Sequence, residues 1–236
     1  PSDLHADPLP YSVDRPPAHG TATLTSTGAY TYTPAKDYNG SDTFTVLISD
    51  GHGGSTTSTV SVGITAVNDA PVVTTVGVHV SEEGLSGGNA DSSGTSDLTN
   101  STTATGSISV TDVDGDSSLL TLTGPTGLTS HGVAVTWTWN ASRMTLVGKA
   151  GSVTVMTVAV TQTSTNHWSY TVTQSASLDH SDKTTEDLLN VIIGVTANDQ
   201  HGATTSSTVT IGVEDDSPLL ASVTATATDT TVATAS

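Results

Sequence analysis

The stretch Asp112-Val113-Asp114-Gly115-Asp116 places three carboxylates at alternate positions around a glycine that lets the chain bend. Such spacing turns all three acids to one side of a turn. That donor set suits a hard divalent cation, and Ca²⁺ takes about 6–8 carboxylate and carbonyl oxygens at roughly 2.3–2.6 Å. Further oxygen donors stand in segments that sequence separates: Asp3 and Asp7, Asp50, Asn68 and Asp69, Glu82 and Glu83, Asp179, Asp199, and Asp215 and Asp216. A lone acid beside glycine reads as a solvated turn residue, because Asp-Gly and Asn-Gly favour turns without metal. The set as a whole reads as calcium ligands, since its loops and linkers recur and crowded like charges repel unless a cation joins them.

Composition agrees with a cation partner and excludes others. Five Lys+Arg against twenty-three Asp+Glu give a formal net charge of −18. Phosphate recognition needs clustered Lys and Arg, so nucleic acid is excluded as a partner. An anionic membrane surface is disfavoured for the same reason. No apolar run approaches the ~20 residues needed to span a bilayer, so no membrane insertion is expected, and no signal-peptide pattern opens the chain. The absence of cysteine rules out disulfides, thiol catalysis and thiolate metal sites together.

The elements that must hold these acids are strands. Asp42-Thr43-Phe44-Thr45-Val46, Ser58-Thr59-Val60-Ser61-Val62, Gly106-Ser107-Ile108-Ser109-Val110 and Ser207-Thr208-Val209-Thr210-Ile211 alternate apolar residues with Thr or Ser. β-branched residues in that period fit half-buried pleats. Tyr38-Asn39-Gly40, Asp50-Gly51 and Gly124-Pro125 punctuate the runs as turns. The segment Glu186–Ile193 alone has a helical alternative, and its tail reads equally well as a strand. The fold class is all-β, as antiparallel sandwiches.

An internal repeat sets the domains. Ser49-Asp50-Gly51-His52-Gly53-Gly54 through Val60 realigns with Asn198-Asp199-Gln200-His201-Gly202-Ala203 through Val209, and each copy closes on an acidic linker ending in proline, at Asn68-Asp69-Ala70-Pro71 and at Glu214-Asp215-Asp216-Ser217-Pro218. The expected organisation is a sandwich at 1–70 lacking its first strands, a longer one at 71–217, and the start of another repeat or a disordered tail at 218–236. Ser86 to Thr105, rich in Gly, Ser, Thr and Asn, is left open between an ordered loop and a flexible insertion.

Gly28-Ala29-Tyr30-Thr31-Tyr32-Thr33-Pro34, Tyr38-Asn39-Gly40-Ser41-Asp42-Thr43-Phe44 and Ser49-Asp50-Gly51-His52-Gly53-Gly54, closing on Val67-Asn68-Asp69-Ala70-Pro71, resemble the cadherin-like repeats of giant bacterial RTX adhesins. Tyr170-Thr171-Val172-Thr173, Leu178-Asp179-His180 and Thr196-Ala197-Asn198-Asp199 are similar to a longer repeat type of the same proteins. The resemblance implies tandem immunoglobulin- or cadherin-like sandwiches that serve as Ca²⁺-rigidified extender domains. It also implies export by type I secretion to the cell surface, where such proteins support cell adhesion and biofilm formation. Neighbouring repeats of the same polypeptide are then the partners. By the same resemblance Asp112, Asp114, Asp116 and Asp199 face an N-terminal junction and meet Asn68 and Asp69. Glu82 or Glu83, with Asp179, face a C-terminal junction and meet Asp215 and Asp216. Asp3, Asp7 and Asp50 belong to a junction upstream, where His5 in place of a carboxylate is a departure, because imidazole is a poor Ca²⁺ ligand. The family's glycine-rich nonapeptide repeats are absent.

Three other chemistries have candidate residues in the chain. Trp137 and Trp139 share one face of a strand in the longer second copy, which offers either a glycan- or peptide-binding platform or a filling for a larger core. That platform defines the second functional reading, a ligand-binding module for a host or biofilm glycan or peptide. The eight histidines are scattered without the tight helical spacing of a zinc enzyme. No Gly-x-Ser-x-Gly elbow is present, and paired acids cannot be separated from the calcium set, so the chain is read as no enzyme.

Overall fold

A computed structural model describes residues 9–88, 98–181 and 187–216. The chain forms two compact units, Pro1–Asp69 and Ala70–Ser236. Asp3, Asp7 and the segment 218–236 lie outside the described residues.

In the first unit β1 (Tyr11–Arg15), β4 (Gly40–Ser49) and β5 (Ser55–Ile64) make one antiparallel sheet in the order β1-β4-β5, and β2 (Gly20–Leu24) pairs with β3 (Tyr30–Pro34) in another. The alternation along β4 buries Asp42, Phe44 and Val46 on one face. Burial works against the charge of Asp42, yet N–H donors from His19 (2.8 Å), Thr43 (2.8 Å) and Ala18 (3.2 Å) and the Tyr32 hydroxyl (2.9 Å) hold its carboxyl below the usual range. Desolvation and the Asp42 charge push the Tyr32 phenol up to about 12.

The second unit contains β6 (Val72–Thr75), β7 (Val78–Ser81), a 3-10 turn (Glu82–Gly84), β8 (Thr103–Thr111), β9 (Leu119–Thr123), β10 (Thr129–Ser130), β11 (Val133–Asn140), β12 (Thr145–Ala150), β13 (Val153–Ser164), β14 (His167–Gln174), β15 (Leu188–Asn198) and β16 (Thr204–Glu214). A seven-stranded sheet runs β10-β11-β12-β13-β14-β8-β6, and a four-stranded one runs β7-β16-β15-β9. The core holds Ile108, Val110, Val158, Tyr170 and Val172 from the first sheet. Val80, Leu122, Val191, Ile193, Val195, Ile211 and Val213 come from the second. The period of two explains this division, since in β15 the residues between Val191, Ile193, Val195 and Ala197 point away from the core. Leu188 to Ile193 therefore belongs to a strand and not a helix; Glu186 lies outside the described residues.

One pairing departs from the antiparallel expectation: β7 runs parallel to β16, with Val78 opposite Ile211 and Val80 opposite Val213. The chain leaves the large sheet after β6 and joins the small one without reversing, so its direction on the new sheet follows from its direction on the old. Gly77 makes the crossing feasible, as a Cβ there would stand 2.7 Å from the Thr210 carbonyl oxygen. The Tyr170 hydroxyl donates to the Val76 carbonyl at the same crossing, and burial pushes that phenol up to about 12.

Val135, Trp137 and Trp139 occupy the core-facing side of β11, and both indoles pack half-buried against the core. The Trp137 ring lies over two glycines; a Cβ on Gly124 would fall 2.0 Å from it and one on Gly148 2.8 Å. The paired tryptophans are thus engaged in packing the wider end of the seven-stranded sheet. Of the stretch Ser86 to Thr105, Leu98 and Thr99 are anchored by N–H bonds to the buried Glu214 carboxylate (2.8 and 3.2 Å), β8 begins at Thr103, and 89–97 lie outside the described residues.

Candidate metal centres at the two ends of the second unit

The ladder between β15 and β16 pairs Leu188 with Glu214 at one end and Asn198 with Thr204 at the other. Eleven residues at ~3.3 Å each separate these ends by roughly 33 Å. Asp112, Asp114, Asp116 and Asp199 stand at one end and Glu82, Glu83, Asp215 and Asp216 at the other, in different chemical settings.

At the Asn198 end the β8–β9 loop carries Asp112, Asp114 and Asp116, whose carboxylate oxygens lie within 4.8 Å of one another. Gly115 sits at φ +81°, the left-handed region that glycine enters without penalty, and its N–H bonds the Asp112 carbonyl at 3.2 Å. One Asp112 oxygen accepts from the Asp114 N–H at 2.9 Å. The other, Oδ2, is buried with no hydrogen-bond donor among the described residues. Asn166 braces the loop from the β13–β14 turn, donating to the Asp116 carbonyl (2.6 Å) and accepting from the Ser118 N–H (2.8 Å).

The turn after β15 closes on this loop. His201 Nδ1 lies 2.9 Å from Asp116 Oδ2, and the Gln200 amide donates to the Ser117 carbonyl at 2.9 Å. Asp199 is fully buried, and its Oδ1 accepts from the N–H groups of His201 (2.8 Å), Gly202 (3.0 Å) and Ala203 (2.9 Å). Asp50 of the first unit performs the same task, accepting from His52 and Gly54 at 2.8 Å each, and those donors hold its carboxyl below the usual range. Both repeat aspartates therefore build a turn first. Asn68 and Asp69 lie in the coil that follows β5 at the end of the first unit.

The opposite end is buried and includes a base that the sequence reading did not select. Ser81 caps the 3-10 turn by accepting from the Glu83 N–H at 3.1 Å, which draws Glu82 and Glu83 under the surface. Glu82 Oε1 accepts from the Gln174 amide (2.8 Å) and the Leu178 N–H (2.7 Å). His180 stands beside it, with Nε2 at 3.6 Å from Glu82 Oε1 and Nδ1 hydrogen-bonded to Asp187. Donor atoms of Glu82, His180 and Asp215 all lie within 4.8 Å of one another. Burial alone would lower the His180 pKa, but the Glu82 and Asp187 carboxylates beside its ring nitrogens and the charge of Asp215 raise it to about 9. Burial and the neighbouring Glu82 and Asp216 charges raise Asp215, against the pull of His180.

Asp179 does not join this cluster. Its own N–H bonds the Thr129 carbonyl, and hydrogen bonds to its exposed carboxylate from the Thr129 side chain and from the Gly132 N–H (2.8 Å), at the β10–β11 hairpin, hold its carboxyl below the usual range. Asp216 lines a cavity of about 380 Å³ together with Glu82 and His131. His180 and Glu214 stand inside the motif stretches of the sequence without being selected there as site residues, and Asp187 carries no motif signal. The end of β16 assembles them, with the start of β15 on one side of it and the end of β7 on the other.

Residues 1–66 match the bacterial cadherin-like domain. Among curated proteins none matches the chain. Among solved structures, domains 3–6 of protocadherin gamma B2 are similar at 15% identity and a TM-score of 0.46, over 87% of this chain and 39% of that one. Domains 1–5 of the same protein align at 16% identity and 0.46, over 88% and 32%. Domains 1–2 of human mucin-like protocadherin align at 15% and 0.39, over 88% and 84%. The chain thus spans well under half the length of the first two. No described helix is long and apolar enough to cross a membrane.

Proposed function

From a first unit of bacterial cadherin-like type, we propose that the chain consists of calcium-stabilised extender domains of a large secreted or cell-surface adhesin. The observation that supports this most directly is Asp112 Oδ2, a buried carboxylate oxygen with no donor among the described residues, beside the acids of Asp114 and Asp116. A buried carboxylate oxygen without a donor is destabilising, and a hard cation ligated by the three carboxylates removes that cost. The Asp199 turn and Asn166 set the loop's shape beforehand, so the ion meets a prepared concavity. Calcium then does two things. It stabilises the folded state by mass action, and it stiffens the end of the sandwich by binding loops that otherwise repel themselves.

The wider setting follows from the resemblance to RTX adhesins: export by type I secretion, assembly with neighbouring repeats, and a part in cell adhesion and biofilm formation. The net charge of −18 keeps the calcium-free chain soluble and self-repelling before export. Thermal melts and small-angle scattering in calcium and in chelator test the reading. A clear rise in Tm with a more extended profile in calcium is expected. Identical melts and profiles would sink it.

A further inference from the structure

We propose that Glu82, His180 and Asp215 form a site for a transition-metal dication of the Zn²⁺ class, at the opposite end of the second unit from the Asp112 loop and independent of calcium there. The imidazole carries the selectivity, being a good ligand for zinc-class metals and a poor one for Ca²⁺. The His180 side chain is 2% exposed, and its Nε2 has no hydrogen-bond partner among the described residues while facing Glu82 Oε1 at 3.6 Å. Two donors at about 2.0–2.1 Å from a tetrahedral ion stand roughly 3.3 Å apart, so Glu82 and His180, at 3.6 Å, are within a few tenths of an ångström of that spacing, and the Asp215 donor lies within 4.8 Å of both.

The surrounding shell is already arranged. Asp187 engages Nδ1 of His180, which fixes the ring and leaves Nε2 directed at the two carboxylates. A carboxylate behind a ligating histidine is the usual outer-shell partner in zinc sites. Glu82 is held in turn by the Gln174 amide and the Leu178 N–H. A cavity bordered by Glu82, Gly88, His131 and Asp216 reaches the Glu82 side of the cluster.

The test uses the full chain with calcium in excess and Zn²⁺ titrated against a chromophoric chelator. One Zn²⁺ per chain is expected, lost by at least about 100-fold in His180→Gln, weakened about 10–100-fold in Asp187→Asn, and unchanged in the double variant Asp112→Asn, Asp114→Asn. Absence of binding overturns the proposal. So does Zn²⁺ binding that survives His180→Gln, because the other histidines would then be collecting the metal, and so does zinc binding that appears only when the excess calcium is left out. Should His180→Gln fail to fold, anomalous diffraction at the zinc edge from wild-type crystals decides the matter. A peak between Glu82, His180 and Asp215 supports the site, and a peak elsewhere or none refutes it.

Discussion

The two ends of the second unit solve one electrostatic problem in opposite ways. At the Asp112 end three carboxylates crowd a partly exposed loop, and one buried oxygen has no donor among the described residues. At the Glu82 end the acids are buried more deeply, yet a histidine sits among them and is held protonated up to about pH 9. One end requires a cation from solution, whereas the other already contains a group that can supply the positive charge. Acid density alone does not distinguish them; the residue at the centre of each cluster does.

Removing the internal cation therefore has the largest expected effect. In chelator, His180→Gln leaves Glu82 and Asp215 without their counter-charge, and breaking a buried ion pair from one side costs about 3–5 kcal/mol. Denaturant unfolding of the metal-free chain reads this loss. At the other end Asp112→Asn, made under the same conditions, relieves repulsion among like charges and is expected to leave stability unchanged or slightly raised. Equal losses from the two substitutions would erase the distinction between the ends.

Calcium should act in the opposite sense. At a free concentration of about 100 times Kd a single site adds about 2.7 kcal/mol, which for a unit of this size raises Tm by roughly 6–10 °C. The double variant Asp112→Asn, Asp114→Asn should abolish the rise, and His180→Gln should retain it from its lower starting point. Calorimetry with and without calcium measures both.

Much of this was legible in the sequence. Period-two alternation in Val191, Ile193 and Val195, or in Phe44 and Val46, translates directly into a buried face because a strand has no other way to sort its side chains. The Asp112–Asp116 loop was equally readable, since its three ligands lie within five residues. The Glu82 cluster was not: Glu82, His180, Asp187 and Asp215 come from four segments, and only the parallel docking of β7 on β16 brings the first beside the last. Parallel pairing depends on a sheet-switching crossover at Gly77, for which alternation gives no signal. Asp179 was misleading for a related reason. Its neighbour His180 turns into the cluster, and successive residues of an extended chain point to opposite sides.

Asp42 sharpens the comparison from the first unit. It is a buried carboxylate served by four protein donors, so it should be indifferent to calcium. Its carboxyl is held below its unfolded value of about 3.9. The stabilisation is accordingly present at neutral pH, persists down to about pH 4, and is lost as pH falls through the folded value. Asp42→Asn is expected to lower Tm at pH 7 and to flatten the acid limb below about pH 4, leaving the calcium response intact. A variant whose calcium response disappears would show that the Asp42 donors are not sufficient.

The smallest and most discriminating test concerns Asp199 and Asp50, which occupy matching turns with matching hydrogen bonds. Each accepts from backbone N–H groups two and four residues on, so Asp→Ala should loosen either turn, by about 1 kcal/mol at Asp199 if a turn cap behaves as a helix cap does. The Asp199 turn adjoins the Asp112 loop, through His201 and Asp116 at 2.9 Å. Asp199→Ala is thus expected to weaken calcium binding as well as stability, because the loop loses the turn that braces it. Asp50→Ala should lower stability in calcium and in chelator alike. Isothermal titration of the two variants separates these outcomes. If both weaken calcium equally, the first unit holds a site of its own and the repeat works as two copies of one device; if neither does, the Asp112 loop is self-sufficient and the buried Asp199 serves the turn alone.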